Sequence, residues 1–419
     1  MKRRQFLKKS LYAGAAISTA TGVAGYMTWQ KFMDGPLFNA CHIESLPEHI
    51  VEHPLVKSAF KNLVPDEIWD THFHLIGNGL SVGIDGKKTG IWLNPSMDSL
   101  LSPIQRIQYA FYLNAACVED KQGADKAYVE NISKILDQLP KGIRFTLLAF
   151  DYQYDEAGKV NQSGSTFYVP NEYAARVAKL NSGFEWIASV HPYRADALDA
   201  LEWCKAHGAR GIKWLPPAMN INPSSSRCDA YYQKLVDLDL ALLSHAGEEK
   251  AVHSEELQKL GNPLLLRRAL DQGVKLIVAH CASLGTGSDL DSKIKAEVSN
   301  FKLFSRLMDD PNYKDNCLAD ISAINLLNRD IGEIKSIIEH QDWHDRLLYA
   351  SDYPIPGVVP LISSKNLAEH GIIDAELLPV LSEIQQHNSW LYDFILKRNF
   401  KSAGVHFSDA VFQTSRHFS

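Results

Sequence analysis

The sequence predicts an α/β protein: a (β/α)8 TIM barrel with a helical insertion between strands one and two. Three observations predict it. Eight short apolar runs recur along the chain, and segments of helical periodicity lie between them. Polar residues able to do chemistry collect at the C-terminal ends of those runs, where such barrels keep their sites. A doubly wound open sheet, the rival architecture, would carry a Gly-rich phosphate loop after an early strand, and the sequence has none.

The N-terminus stands apart from this pattern. "MKRRQFLKKS" is followed by "LYAGAAISTATGVAGYMTW", a charged start leading into an apolar stretch, which is the layout of an export signal. Arg3 and Arg4, with Gln5, Phe6, Leu7 and Lys8 after them, resemble the bacterial twin-arginine signal. Residues 1–35 are therefore expected to direct the chain to the periplasm. With no clean A-x-A cleavage site, the stretch is also long enough to stay as an inner-membrane anchor. Residues 36–65 are a lead-in, 66–405 the barrel and 406–419 a C-terminal tail. The 419 residues are 45% hydrophobic and 22% charged, and the net charge of −6 gives no basic surplus, so nucleic acid is not an expected partner. Membrane contact is expected only through an uncleaved signal, and a homodimer is allowed. Six cysteines permit 15 pairings, none selectable from sequence. Cys204, Cys281 and Cys317 fall inside expected elements and read as small buried hydrophobes.

The first strand is "EIWDTHFHL" (67–75), and a segment of helical periodicity at 78–142 follows it as the insertion. Then come "RFTLLAF" (144–150), "FEWIASV" (184–190), "ARGIKWL" (209–215) and "LALLSHA" (240–246). The last three are "KLIVAHC" (275–281), "NCLADIS" (316–322) and "RLLYASD" (346–352). Segments between them, such as "DALDALEWCKAHG" and "PLLLRRALDQG", close on the Gly that stops helices.

The strand ends yield a short set of candidates. Strand one offers Asp70, His72 and His74, strand four Lys213, strand five His245, strand six His280 and strand eight Asp352. Alternation along a strand turns His72 and His74 to the same face. A single such histidine is ordinarily a satisfied core residue. Four histidines and an aspartate at one end of different strands point instead to a shared divalent ion, since each buried polar group would otherwise cost desolvation. Arg194 after strand three is placed to meet an anionic substrate, or to form a surface salt bridge. His191 beside it reads as structural. Glu248 and Glu249 read as solvated loop charge, or as partners for an imidazole. Tyr109, Phe111 and Tyr112 read as a packed helix face rather than a ligand clamp.

"DTHFH", "GIKWLPP", "SHAG", "AHC" and "ASDYP", with the closing helix "NSWLYDFILKRNFKSAG", resemble the amidohydrolase superfamily of metal-dependent barrels. More narrowly, they are similar to the branch that includes aminocarboxymuconate-semialdehyde decarboxylase. The resemblance covers about residues 66–405. It implies His72, His74, His245 and Asp352 as ligands of one divalent ion, zinc above others, with His280 as a catalytic side chain beside it. It leaves Lys213 three readings: a carbamylated bridge to a second metal, a contact for a substrate carboxylate, or a buried lysine paired with an acid. The expected activity is hydrolysis of a small ester, lactone or amide, with Asp352 moving the proton. Non-oxidative decarboxylation of a small carboxylic acid uses the same parts, and an exported metal-binding barrel without turnover is the reading from another class.

Overall fold

The structure is a computed structural model that describes residues 37–250 and 255–418. The expected signal at 1–35 lies outside the described residues. Among the described residues eight short parallel strands carry the fold. They are β1 (Trp69–His74), β2 (Arg144–Leu148), β3 (Phe184–Ile187), β4 (Gly211–Trp214), β5 (Ala241–Ser244), β6 (Leu276–Val278), β7 (Cys317–Asp320) and β8 (Leu347–Leu348). Continuous pairing runs β1-β2-β3 and β4-β5-β6-β7-β8. Single parallel bridges span the two seams, Ala188 with Ile212 and Phe73 with Tyr353. Backbone bonds reinforce them: Lys213 N–H donates to Ala188 O at 2.7 Å, and Asp352 N–H to His72 O at 2.9 Å. The strands thus follow one another in ring order, the arrangement of an α/β TIM barrel.

Helices alternate with the strands. Two lie between β1 and β2, α1 (Pro103–Ala115) and α2 (Ala124–Asp137). Then come α3 (Asn171–Ala178), α4 (Ala197–Ala206), α5 (Asp229–Asp237), α6 (Arg267–Asp271), α7 (Asn300–Met308) and α8 (Ile331–Glu339) in successive crossovers, before α9 (Leu378–His387) and α10 (Ser389–Arg398). Short helical turns lie at Pro216–Met219 and Ser364–Glu369 besides. In α2 the buried Tyr128, Ile132, Ile135 and Leu136 recur at helical spacing, the stripe a barrel helix presents to its sheet. The segment 78–142 is less helical than its periodicity suggests. Trp92–Leu93 is a short strand, paired antiparallel with Phe167–Tyr168, and a 3-10 turn follows at Pro95–Asp98.

The barrel interior holds Trp69, Leu148, Ile187, Leu243, Ile277, Leu318 and Leu348, and Phe418 joins them. The C-terminal tail is therefore part of the barrel. Thr414 Oγ1 donates to Trp69 O at 2.6 Å and accepts from Trp69 N at 3.0 Å, while the Phe418 ring stacks on Trp69 at 6.2 Å. Trp69 begins β1, so the tail closes the end of the barrel opposite the strand C-termini. The lead-in packs as well: Phe60 stacks on Phe394 of α10, and Cys41 is disulfide-bonded to Cys117 just beyond α1. The other four cysteines are free and buried, as expected for Cys204, Cys281 and Cys317.

Candidate metal centre

The site is assembled where strands stop. β1 ends on His74, and its pairing with β2 shifts register between Asp70 and Phe73. That irregularity separates Asp70 from the two histidines, although all three share a parity. Asp70 is fully buried and accepts from Ser351 N at 3.0 Å, His72 N at 3.1 Å and Trp390 Nε1 at 2.8 Å. Burial pushes its carboxyl up to about 7, against those hydrogen bonds. It ties β1 to β8 and α10 and does not line the cavity over the strand ends.

His72 and His74 do line that cavity, with Lys213, His245, His280 and Asp352. The ring centroids of His72 lie 5.1 Å from those of His74 and His280, and His245 is 5.2 Å from His280. The Asp352 Oδ1 atom sits 3.0 Å from His74 Nε2 and 3.5 Å from His72 Nε2. Two donors bound tetrahedrally to one zinc at its usual bond lengths are about 3.3 Å apart, between these two values. The backbone bends to make this possible. Asp352 has φ 59°, and at the end of β6 His280, Cys281 and Ala282 have φ of 58°, 49° and 47°. Four non-glycine residues in the left-handed region mark strain concentrated at the mouth. This turn also corrects the expected sixth strand, which stops at Val278 instead of 281.

Burial keeps the imidazoles of His72, His245 and His280 neutral. Burial, helped by Lys213, lowers His72 below the usual range against the pull of Asp352 and Asp320. Burial takes His280 down to about 3, and burial with His280 and Lys213 nearby holds His245 well below normal. Burial alone would raise Asp352, but His72, His74 and His280 overcome it and hold the carboxylate ionised. Neutral imidazole and ionised carboxylate are the forms that bind a divalent cation. His245 supplies a further sign: its Nε2 is buried with no hydrogen-bond partner among the described residues. An orphaned ring nitrogen in a cavity wall costs about 1–3 kcal/mol unless a ligand takes it. The donor set fits a divalent ion.

One group that sequence reasoning passed over, Asp320, and one that it left between two readings, Glu249, complete the site. Asp320, at the end of β7, accepts from His72 Nδ1 at 2.9 Å through Oδ2, and from His280 N at 2.8 Å and Ser322 N at 3.0 Å through Oδ1. Ser322 Oγ lies 2.7 Å from His280 Nδ1. Asp320 could form a second donor cluster with His72 and His280. Its oxygens, however, are already committed to these donors, so it orients the imidazoles. The signal was present: an aspartate inside the apolar run "CLAD" needs a partner. Glu249 is the other. It is buried, with Oε2 3.5 Å from His245 Nδ1, rather than a solvated charge. Glu248 pairs with Lys250 at 2.8 Å.

Lys213 is buried, its Nζ 3.1 Å from His72 Nε2, and burial lowers it to about 8 against the pull of Asp320, Asp352 and Glu249. Arg194 is not brought to the site. It bridges Asp151 at 3.0 Å and Asp196 at 2.7 Å and does not line the cavity, because the chain turns at 191–196 to satisfy the buried Asp151. His191 is structural: its Nε2 donates to Met219 O at 2.8 Å and its Nδ1 accepts from Tyr193 N at 3.1 Å. Tyr109 and Tyr112 of α1 line the cavity, while Tyr109 is also buried in the core and Phe111 stacks on Phe38 at 5.0 Å, in keeping with a packed face. The segment 78–142 thus walls the cavity without filling it.

Residues 69–370 match the family described as Amidohydrolase. No curated protein matches the chain. Similar solved structures include an uncharacterised TIM-barrel protein from Bordetella bronchiseptica, at 14% identity over 76% of this chain and 99% of that one, TM-score 0.44. A 5-carboxyvanillate decarboxylase from Sphingomonas paucimobilis is 12% identical over 72% of this chain and 98% of that one, TM-score 0.41. A 4-oxalomesaconate hydratase from Rhodopseudomonas palustris is 14% identical over 80% and 95%, TM-score 0.36. By its match over most of its length, this chain belongs to the amidohydrolase family, whose members are mostly enzymes that bind divalent metal ions.

Proposed function

We propose that the chain is a metal-dependent hydrolase of a small ester, lactone or amide, working with one zinc ion per chain. The observation that carries this is the convergence of His72 Nε2, His74 Nε2 and Asp352 Oδ1 within 4.8 Å of one another, beside the orphaned His245 Nε2. These four residues would hold the ion, which when bound lowers the pKa of water to about 7 and polarises a substrate carbonyl. The rest falls to the protein. Asp352, ionised and at the cavity wall, accepts a proton from water and returns it to the leaving group. His280, neutral and oriented through Nδ1–H by Ser322, turns its Nε2 lone pair to the cavity, where it accepts a hydrogen bond from the attacking water or a substrate N–H or O–H.

Lys213 stays largely protonated at pH 7 and supplies a cation to a substrate carboxylate. That role favours an anionic substrate and one metal over a carbamylated bridge between two. It also supports the second reading, decarboxylation of a small carboxylic acid, in which Lys213 pairs with a substrate carboxylate, the C–C bond breaks to release CO2, and Asp352 passes a proton taken from water to the carbon left behind. Export by the twin-arginine route, with residues 1–35 as signal or retained anchor, is supported by the Cys41–Cys117 disulfide, since such bonds persist in oxidising compartments.

The test is metal content per chain on protein purified without chelator. About one zinc is expected, lost in His72→Ala. Asp352→Asn should abolish turnover of whichever lactone, ester or carboxylated acid the wild type converts. No metal, and no uptake on adding zinc, would sink the proposal.

A further inference from the structure

α1 carries an apolar stripe that the described fold leaves open. Leu100, Leu101, Ile104 and Ile107 are 74%, 94%, 76% and 41% exposed. At 100° per residue Ile104, Ile107 and Phe111 share one face of the helix, and Leu100 continues it into the preceding turn. The opposite face, with Tyr109 and Leu113, is buried. Four large hydrophobic side chains in one stripe form a patch of the kind that marks an interaction surface.

Where the N-terminal residues join the fold says what covers it. Phe38, the second described residue, stacks on Phe111 at the end of the stripe, at 5.0 Å. Residues 1–36 are therefore joined to the described fold beside it. They include the apolar stretch 11–29, which as a helix would be about 28 Å long, close to the hydrocarbon thickness of a bilayer. From Trp29 to Leu37 the chain can reach no more than about 29 Å. An anchor in the membrane would hold α1 within that distance of the surface, its stripe on the side from which the tether comes.

The neighbouring turn is of the same kind. Leu80 and Val82 are exposed, next to the exposed Lys87 and Lys88. The residue leading into the turn reaches the segment before α1, since Asn78 Nδ2 donates to Lys121 O at 2.8 Å and Lys121 pairs with Asp98. The turn itself is held by Arg176 of α3, which donates to Asp85 at 2.9 Å and Lys88 O at 3.0 Å. Apolar side chains flanked by lysines suit an interface of anionic lipid. Among the described residues no helix is long and apolar enough to cross a membrane, so the contact is with the surface.

We propose that the exposed face of α1, with the turn at 80–88, docks on the surface of a lipid bilayer in which residues 11–29 are retained as an anchor. The inference rests on the retained-anchor reading and not on the metal chemistry. Since Tyr109 and Tyr112 of the same helix line the cavity, membrane contact and cavity wall share one element.

The test uses the full chain with Ile104→Cys, labelled with an environment-sensitive fluorophore. Labelling is specific because the native cysteines are buried or in the disulfide. Val236→Cys on α5, 39% exposed, is the control. The protein is reconstituted with vesicles of phosphatidylethanolamine and phosphatidylglycerol, with and without brominated acyl chains. The expected result is flotation with the vesicles, with a blue shift and bromine quenching at 104 and neither at 236. Flotation with an unquenched label at 104 would overturn the docking face and leave the anchor standing. Failure to float would overturn the anchor and the docking together. A label at 104 already shielded without lipid would mean that a second copy or residues 11–29 cover the stripe, and would also overturn it.

Discussion

His72 has one ring nitrogen committed. Its Nδ1–H donates to Asp320, which leaves the Nε2 lone pair turned to the cavity, where Lys213 Nζ lies 3.1 Å away. A carboxylate behind a metal-binding imidazole selects the tautomer and raises its basicity. Asp320→Ala should therefore weaken zinc binding about 10–100-fold while leaving all four proposed ligands in place. Competition with a calibrated chelator would measure it, and an unchanged affinity would make Asp320 a structural residue only. At this scale the sequence was legible where chemistry is local. His72 and His74 could be paired because they are two apart on a strand. Asp320 could not be paired with His72, because 248 positions separate them and only ring order brings β7 beside β8 and β1.

Among the elements, α1 departs most from its sequence pattern. Its buried side packs on the barrel and walls the cavity, and its C-terminal end is fastened to the lead-in. Asn114 Nδ2 donates to Asn39 O at 3.1 Å, Asn39 N to Asn114 Oδ1 at 2.9 Å, and Asn39 Nδ2 to Gln385 O at 2.9 Å next to the Cys41–Cys117 bridge. The bridge closes a loop with a sequence separation of 76. Opening it by Cys117→Ser should lower stability by about 2–4 kcal/mol, mainly by freeing the unfolded chain. Urea unfolding would show this as a lower midpoint, and an unchanged midpoint would mean that the polar contacts alone hold the lead-in. Helical spacing announced α1. Which side of it would face a cavity, and which cysteine the lead-in would reach, depended on contacts between segments far apart in sequence.

For the molecule as a whole, a ring of strands with a buried polar mouth and a closed floor has a consequence on the acid side. His191 is neutral because its nitrogens act as one donor and one acceptor, and burial pushes it down to about 3. Unfolded, it would titrate near 6.5. Between those values the unfolded chain binds more protons, so stability is full above pH 6.5 and falls as pH falls toward 3. Between pH 7 and pH 5 this one group should cost roughly 2 kcal/mol. His191→Gln, which keeps a donor for Met219 O, should reduce the pH dependence of the unfolding free energy by about that amount. An unaltered dependence would assign the acid loss to other groups.

By itself the sequence determined the recurrence of strands and helices, the end of the barrel that carries polar residues, and the residues that could be ligands. Each of these follows from periodicity and from the cost of burying polar groups, which are properties of short segments. Tertiary structure alone decided that Asp70 goes to Ser351 and Trp390 and Arg194 to Asp151, neither of them to the cavity. It also made Glu249 a buried partner of His245 and the C-terminal tail the floor beneath Trp69. The physical reason is common to all four. A polar or aromatic side chain takes the partner that relieves its burial, and closing the ring determines which distant segment supplies that partner.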